Sequence, residues 1–145
     1  MTRDERDFEL PDFLPYLLNQ AAEAASLEFQ KIYRDRYGML RTDWRVLFHL
    51  GVYGPLTAKD IANRAKIHKT KISRAVSRLE DRRFLKRKRK KSDKRFETLS
   101  LTKAGEFAYR DLRKAARAYD ARLTEGLSKK EAGLLREMLR KLAWG

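Results

Sequence analysis

The chain has 145 residues, 42% of them hydrophobic, and a formal net charge of +15. This length predicts one domain that is large enough to bury a core. Because there is no cysteine, disulfide bonds, thiol nucleophiles and cysteine-based zinc sites are excluded. No apolar run approaches the roughly 18 residues that span a bilayer, and the charged N-terminal residues do not resemble a secretory signal. We therefore expect a protein of the reducing cytoplasm that has no membrane partner.

The positive charge is concentrated in one segment, Lys59–Arg95. This window of 37 residues holds 17 of the 35 Lys and Arg residues and only four acids, so it carries +13 of the net +15. A charge excess that served only solubility would be spread along the chain. A basic block this concentrated is typical of a surface that binds a polyanion.

The N-terminal third is predicted to contain two helices. Apolar residues recur at helical spacing from about Asp12 to Tyr37, and Gly38 is a natural C-terminal stop for this first helix. Thr42 is predicted to cap a second helix that ends before Gly54. Its predicted inner face consists of Val46, Leu47 and Leu50.

The next segment predicts a helix-turn-helix. Thr57–Asp60 is an N-terminal capping pattern for a short third helix, and a break at Lys66–His68 precedes a fourth helix that ends at about Arg82. The predicted apolar face of this fourth helix is formed by Ile72, Ala75, Val76 and Leu79. Its other faces carry Lys69, Thr70, Lys71, Ser73, Arg74, Ser77 and Arg78. A basic second helix of this kind fits the major groove of DNA.

Residues 84–101 lose the helical period and predict a two-stranded hairpin with a charged tip, which would act as a wing beside the fourth helix. Three other interpretations of the basic run Lys86–Lys91 stay open. It can be a solvated edge strand, a patch for an anionic membrane, or an RNA-binding surface.

Two further helices follow the hairpin. Thr102 is predicted to cap a fifth helix, and Ser128–Glu131 is a capping box for the last one. The predicted buried side of the fifth helix consists of Ala104, Phe107, Ala108, Leu112, Ala115, Tyr119 and Leu123. The last helix carries a broad apolar stripe of Leu134, Leu135, Met138, Leu139 and Leu142.

Four motifs in this order and spacing resemble the MarR (multiple antibiotic resistance regulator) family of winged helix-turn-helix transcription factors. They are Leu56–Ala62 (LTAKDIA), Ile72–Glu80 (ISRAVSRLE), Asp93–Arg95 (DKR) and Leu99–Gly105 (LSLTKAG). Thr42–Leu47 (TDWRVL) is also similar to the second helix of the family. Together these stretches lie within about residues 40–106.

The resemblance implies a mainly α fold with a small β-hairpin wing and N- and C-terminal dimerisation helices. Residues 1–145 would form a single domain, with dimerisation helices at about 12–37 and 103–144 and a DNA-binding lobe at about 42–101. It also implies a cytoplasmic, nucleoid-associated homodimer that binds a pseudo-palindromic operator in double-stranded DNA, acts as a repressor, and responds to a small aromatic or anionic effector. The alternative from another class is a basic protein that coats nucleic acid or associates with RNA without sequence preference.

The candidate DNA contacts lie on the fourth helix and on the wing. On the helix they are His68, Lys69, Thr70, Lys71, Ser73, Arg74, Ser77 and Arg78. On the wing they are Arg87, Lys88, Arg89, Lys91, Asp93, Lys94 and Arg95. The resemblance implies that Arg95 enters the minor groove and that Asp93 helps to orient it.

Candidate effector and dimer contacts come from aromatic, basic and apolar residues elsewhere. The effector candidates are Tyr33, Tyr37, Arg41, Trp44, Arg45 and Phe48, although aromatic residues at helical spacing are also typical of a core. The dimer candidates are Leu14, Leu17, Leu134, Leu135, Met138, Leu139 and Leu142, which could instead close a monomeric core. His49 and His68 are the only histidines, too few for a metal site without cysteine, so we expect neither metal nor cofactor. No sequence motif of an enzyme is present.

One position departs from the family pattern. Arg83 stands where the family usually has the glycine of a left-handed turn at the end of the recognition helix. An arginine there predicts either a different junction between helix and wing or a mildly strained backbone.

Overall fold

The computed structural model describes residues 7–90 and 93–145. In this part of the chain, a 3₁₀ turn at Leu10–Asp12 precedes six α-helices and one antiparallel hairpin. The elements are α1 (Leu14–Tyr37), α2 (Arg41–Tyr53), α3 (Ala58–Ala65), α4 (Lys69–Asp81), β1 (Leu85–Lys90), β2 (Asp93–Leu101), α5 (Lys103–Leu123) and α6 (Lys129–Trp144). The predicted fold class, mainly α with a hairpin wing, is confirmed.

Most of the predicted helix ends are confirmed by their hydrogen bonds. The hydroxyl oxygens of Thr57, Thr102 and Ser128 each accept a bond at 3.1 Å from the backbone N–H three residues later. Gly38 ends α1 in the left-handed region, at φ 62°. A glycine suits this position because it lacks the Cβ that disfavours positive φ in other residues.

The predicted cap of α2 is wrong. The helix begins at Arg41 and its N-cap is Leu40, so Thr42 lies inside the first turn. The free backbone N–H of Leu40 donates instead to the carboxylate of Asp43, at 2.9 Å. An acid at this third helical position satisfies the free N–H and favours the positive end of the helix dipole.

The wing is a short sheet attached to the helix-turn-helix. Its register runs from Leu85 opposite Leu101 to Arg89 opposite Glu97, and the register shifts between Arg89 and Lys90. Leu56, just before α3, exchanges two backbone hydrogen bonds with Leu99 on β2, at 3.1 and 2.7 Å. The wing is therefore fixed to the start of the helix-turn-helix as well as to its end.

One hydrophobic core joins α1, α2, the helix-turn-helix, the wing and α5 as far as Tyr119. Apolar residues from α1, α2, α3, α4, β1, β2 and α5 contribute to it. Its fully buried members include Tyr33, Met39, Val46, Leu47, Ile61, Ile72, Val76, Leu79, Leu99 and Leu112. The predicted inner faces of α2 and α4 are thereby confirmed.

The buried side of α5 differs from the prediction. Phe107 is 70% exposed and Leu123 also lies at the surface, whereas Tyr109 is buried. Gly105 determines this rotation, because a Cβ there would lie 1.9 Å from the carbonyl oxygen of Phe84. The helix can approach the end of α4 this closely only along its glycine edge, which directs Ala104 and Phe107 to the surface.

The junction after α4 has a left-handed turn despite its arginine. Arg83 has φ 63°. The N–H of Arg83 donates to Glu80 and that of Phe84 to Leu79, both at 2.9 Å, which is the bond pattern of a Schellman motif. Of the two predicted outcomes, the structure therefore has the strained backbone and not an altered junction.

Arg83→Gly should stabilise the protein by about 0.5–1 kcal/mol. The substitution removes a left-handed penalty of about 1–2 kcal/mol, and the greater entropy of glycine in the unfolded chain offsets part of that gain. Thermal denaturation should record a Tm that is higher by about 1–4 °C. Arg83→Ala is the control, since it removes the same side chain but keeps the Cβ. An equal gain from both variants would mean that the arginine side chain, not the backbone, is unfavourable.

The two terminal helices leave apolar residues uncovered. On α6 only Ala132 is buried, and the exposed fraction of the stripe residues ranges from 39% for Leu139 to 61% for Leu142. Leu14, Leu17 and Leu18 near the start of α1 are exposed as well. Because these residues do not enter the core of the described chain, they do not form the monomeric core that the sequence left open.

Candidate nucleic-acid interface and ligand pocket

The fourth helix separates buried apolar residues from exposed polar ones. Ile72, Ala75, Val76 and Leu79 are buried in the core. Seven of its candidate DNA contacts are exposed on the other side: His68, Lys69, Thr70, Lys71, Ser73, Arg74 and Ser77. Short hydroxyl side chains beside Lys and Arg allow the helix backbone to approach a groove while cations meet phosphates and base edges.

Arg78, the eighth candidate on this helix, forms an ion pair with α2. Its Nε and Nη2 donate to Oδ1 of Asp43 at 2.9 and 2.7 Å. The carboxylate is 3% exposed, and it also accepts the backbone N–H of Leu40. A two-point Arg–carboxylate contact of this kind fixes orientation, so Arg78 holds the fourth helix against α2. Its predicted DNA contact stays a prediction.

His68 caps the fourth helix. Its Nδ1 accepts the backbone N–H of Thr70 at 3.2 Å. When Nδ1 accepts, a neutral imidazole carries its proton on Nε2. The ring edge at the exposed start of the helix is therefore a hydrogen-bond donor, which suits the predicted phosphate contact.

Ion pairs connect the wing to the fourth helix. Arg87 on β1 donates to Glu80 at the end of α4, at 3.0 Å, and to Glu97 on β2, at 3.1 Å. Glu97 also accepts a bond from Arg89. The bonds from Arg89 and Arg87 lower the pKa of the Glu97 carboxyl. Two predicted DNA contacts, Arg87 and Arg89, are thus paired with carboxylates, and the Arg87–Glu80 pair joins the wing to α4.

Two further wing cations, Lys86 and Lys88, lie on the other face of the hairpin. Lys86 and Lys88 alternate with the paired arginines along β1, and both are exposed. Lys91 lies outside the described residues, and the side chains of Asp93, Lys94 and Arg95 do as well. Their predicted contacts with DNA therefore rest on the sequence.

A pocket lies where α1, α2 and α5 meet. We call it the effector pocket; its cavity has a volume of about 170 Å³. It is lined by Ala22, Ala25, Ser26, Phe29, Tyr33, Arg41, Trp44, Arg45 and Tyr119. Four of the six predicted effector contacts, Tyr33, Arg41, Trp44 and Arg45, meet here. Phe29 and Tyr119 are stacked 6.0 Å apart, and burial raises the pKa of the Tyr33 hydroxyl.

The sequence of this chain is similar to those of known transcriptional regulators. The sequence profile of the MarR family matches residues 37–95. The HTH-type transcriptional regulator FarR of Neisseria gonorrhoeae is 31% identical over 127 residues, which cover 87% of this chain and 86% of that protein. The chain belongs to the MarR family of transcriptional regulators.

Two solved structures share the fold. The structure of NadR in complex with 4-hydroxyphenylacetate is 29% identical, has a TM-score of 0.75, and is matched over 91% of this chain and 93% of that one. BpsR of Bordetella bronchiseptica, at 20% identity, has a TM-score of 0.85 over 95% of this chain and 98% of that one. The similarity to BpsR concerns the fold alone.

Two predicted effector contacts lie outside this pocket of the MarR fold. Tyr37 donates to Asp111 on α5 at 2.7 Å, and burial and this carboxylate raise its pKa to about 12. Phe48 lies between the rings of Trp44 and Tyr109. Tyr37 therefore joins α1 to α5, and Phe48 joins α2 to α5. Conversely, Tyr119 lines the pocket, although its spacing on α5 predicted only a buried position.

Other kinds of site find little support in the described parts of the chain. None of the helices there is long and apolar enough to cross a bilayer. Within the same residues, no three His, Asp or Glu side chains are grouped so that they could hold a metal ion.

Proposed function

We propose that this MarR-family chain is a homodimeric, sequence-specific repressor that binds double-stranded DNA and releases it when a small aromatic acid occupies the effector pocket. The observation that carries the proposal is the arrangement of α4 and the hairpin β1–β2, which together we call the α4–wing unit. Its exposed face is basic and its inner face is buried. Ion pairs from Asp43 and Glu80 fix it in orientation, so it can enter a groove without being reordered.

The dimer is supported by what the protomer leaves uncovered. Apolar residues of α1 and α6 are exposed at both ends of the chain, and a single α4–wing unit reads only one half-site. Pairing through these helices would place two recognition helices one helical turn of DNA apart, roughly 34–36 Å. The operator would then be a pseudo-palindrome.

The effector is supported by the chemistry of the pocket. Aromatic rings of Phe29, Trp44 and Tyr119 offer stacking surfaces, while Arg41 and Arg45 offer charge for a carboxylate. The guanidinium of Arg41, at the start of α2, is already held beside α1, because it pairs with Glu23 at 3.1 Å. NadR, a relative with the same fold, binds 4-hydroxyphenylacetate. The pocket touches both α1 and α2, so a ligand there can bias the position of the DNA-binding lobe.

Selection from a randomised DNA library tests the proposal directly. The purified protein should enrich a pseudo-palindrome with half-sites one helical turn apart. A flat profile would instead favour a nucleic-acid-coating protein, which the net charge of +15 also permits.

Arg74 and Arg95 should have different effects on recognition. Arg74 is exposed on α4 among residues short enough to permit close approach. Arg74→Ala should cost about 1–3 kcal/mol on the best site and relax the preference at a defined base position. Arg95→Ala should weaken binding to all operator variants and blunt a preference for A/T-rich flanks, because the minor groove scarcely distinguishes A·T from T·A.

Selections on both variants, with Lys88→Ala as the control on the basic strand, check these expectations. Lys88→Ala should leave the consensus unchanged. A wild-type flank preference in Arg95→Ala, together with an altered consensus in Lys88→Ala, would contradict the placement of the wing.

Removing the Arg41 charge from the effector pocket should weaken the response to the effector. In a DNA-binding titration, 4-hydroxyphenylacetate should weaken the affinity of the wild type for its operator. Arg41→Ala should need about tenfold more of the acid for the same effect, because a charge-assisted hydrogen bond is lost. Arg34→Ala, on the exposed side of α1, serves as the control. An unchanged response in Arg41→Ala would place the effector elsewhere.

A further inference from the structure

A cavity of about 370 Å³ lies where α2, the end of α3 and the end of α6 meet. We call it the C-terminal cavity. Trp44 and Phe48 line it from α2, Arg64 and Lys66 from the end of α3, and Trp144 from α6. This volume lies within the range of small-molecule sites in proteins. The cavity shares Trp44 and Arg45 with the effector pocket, but Arg64, Lys66 and Trp144 line the C-terminal cavity alone.

The cavity combines aromatic walls with uncompensated positive charge. Three cations, Arg45, Arg64 and Lys66, face it, and none of the described residues that line it is an acid. The rings of Trp44 and Phe48 meet edge to face at 5.2 Å. Like charges that line one cavity repel one another, and a bound anion would relieve that repulsion.

Two of these cations are held in place before any ligand binds. The Arg64 guanidinium lies 4.3 Å from the centre of the Tyr53 ring, which fixes its plane while its N–H edges stay available. Lys66 is the left-handed cap of α3, with φ 54°, and its ammonium donates to the carbonyl oxygen of Ala143 at the end of α6. An ammonium has three donors, so this bond leaves two for another acceptor.

Trp144 closes the opposite wall only partly. It is 72% exposed in the described chain, although Lys66 holds the end of its helix. A large aromatic side chain left open beside a cationic wall can cover the face of a bound ring. The ring of a ligand would lie between Trp144 and the Trp44–Phe48 pair, with its charge toward α3.

We propose that the C-terminal cavity is a second binding site for a small aromatic carboxylate, separate from the effector pocket. The carboxylate accepts hydrogen bonds from Arg64 and Lys66, and the ring packs between Trp44 and Trp144. Because Lys66 is in the turn of the helix-turn-helix and Trp144 is at the end of α6, a ligand here contacts the DNA-binding lobe and the last helix at once.

The two tryptophans of the chain both line this cavity and provide the readout. The protein is labelled with 5-fluorotryptophan, its two ¹⁹F resonances are assigned from Trp44→Phe and Trp144→Phe, and 4-hydroxyphenylacetate is titrated in. We expect a saturable shift of the Trp144 resonance. The neutral amide of the same acid should bind at least about tenfold more weakly, as judged by the Trp144 shift, because the amide lacks the charge that Arg64 and Lys66 recognise.

Variants assign the shift to one site. Arg64→Gln with Lys66→Gly should raise the dissociation constant reported by Trp144 at least about tenfold; glycine suits the positive φ of Lys66, so the fold is retained. Lys59→Ala, on the exposed side of α3, should have no effect. Tyr33 and Arg41 line the effector pocket but not the C-terminal cavity, so Tyr33→Phe with Arg41→Ala should leave the Trp144 shift intact.

Three outcomes would overturn this second site. The Trp144 resonance could fail to move, it could respond equally to acid and amide, or its response could be lost with Tyr33 and Arg41 instead of with Arg64 and Lys66. The last result would leave the effector pocket as proposed and remove the C-terminal cavity. Loss of the Trp144 response when Arg64 and Lys66 are replaced would support a binding site in the C-terminal cavity, and this result does not depend on DNA binding.

Discussion

The affinity of the dimer for DNA should fall by on the order of 10³–10⁵ between 50 and 200 mM salt, if about 6–10 phosphates are neutralised. The charge that motivates this expectation is the net +13 of Lys59–Arg95. Within that window the structure pairs Arg78, Arg87 and Arg89 with carboxylates. Other cations of the window are exposed and available for phosphates. They are the lysines and Arg74 on α4, and Lys86 and Lys88 on the wing.

The slope of log affinity against log salt measures this contribution. Lys88→Ala should reduce the magnitude of the slope by about one, because each phosphate contact releases about one counterion. Lys130→Ala, an equally exposed cation on α6, should leave the slope unchanged. A wild-type slope shallower than about −3 would mean that the basic window does not bind a polyanion.

The elements that the sequence predicts well depend on local chemistry. Thr57, Thr102 and Ser128 each cap the helix that follows, because a hydroxyl three residues before a free N–H needs no distant partner. The inner face of α4 follows from the 3.6-residue period of Ile72, Ala75, Val76 and Leu79. The same period also predicts which residues of α4 are exposed as candidate DNA contacts, because they lie on the side of the helix that is not buried in the core.

The sequence alone could not predict which residues pair across long distances in the chain. Arg78 lies on the polar side of α4 and its spacing suggests a DNA contact, yet it meets Asp43, 35 residues away. The acid is at the third position of α2, where local rules assign it only a capping role. Arg87 and Glu97 become partners only because the hairpin register brings β1 and β2 together.

The orientation of α5 about its own axis could not be predicted from the sequence either. Phe107 and Tyr109 are both aromatic and only two residues apart, so periodicity alone cannot decide which is buried. The close approach of Gly105 to the Phe84 carbonyl decides it. Gly51 acts similarly, because a Cβ there would lie 2.4 Å from the ring of Tyr109. A sequence shows that a glycine is present, but not which neighbour requires it.

Replacing Leu135 and Leu139 by Glu should convert the protein to a monomer and weaken DNA binding by about 10²–10⁴-fold. Both side chains are exposed on α6 of the protomer, so the protomer itself should fold and keep its helix content. At the proposed interface, in contrast, each Glu would have to be buried without a partner, at a cost of several kcal/mol per charge. A monomer binds one half-site and loses the advantage of linking two, which is worth about 10²–10⁴ in affinity.

Sedimentation at micromolar concentration and operator titration measure the two effects on the same sample. Val52→Glu is the matched control, because Val52 is an exposed apolar residue of α2 and not of a terminal helix. The Val52→Glu protein should remain dimeric. Circular dichroism and Tm establish that each variant is folded. If the Leu135→Glu, Leu139→Glu protein stays a dimer, α6 is not at the interface. If it becomes a monomer and still binds the operator with full affinity, recognition does not need two half-sites, and the pseudo-palindromic operator proposed for this chain is wrong.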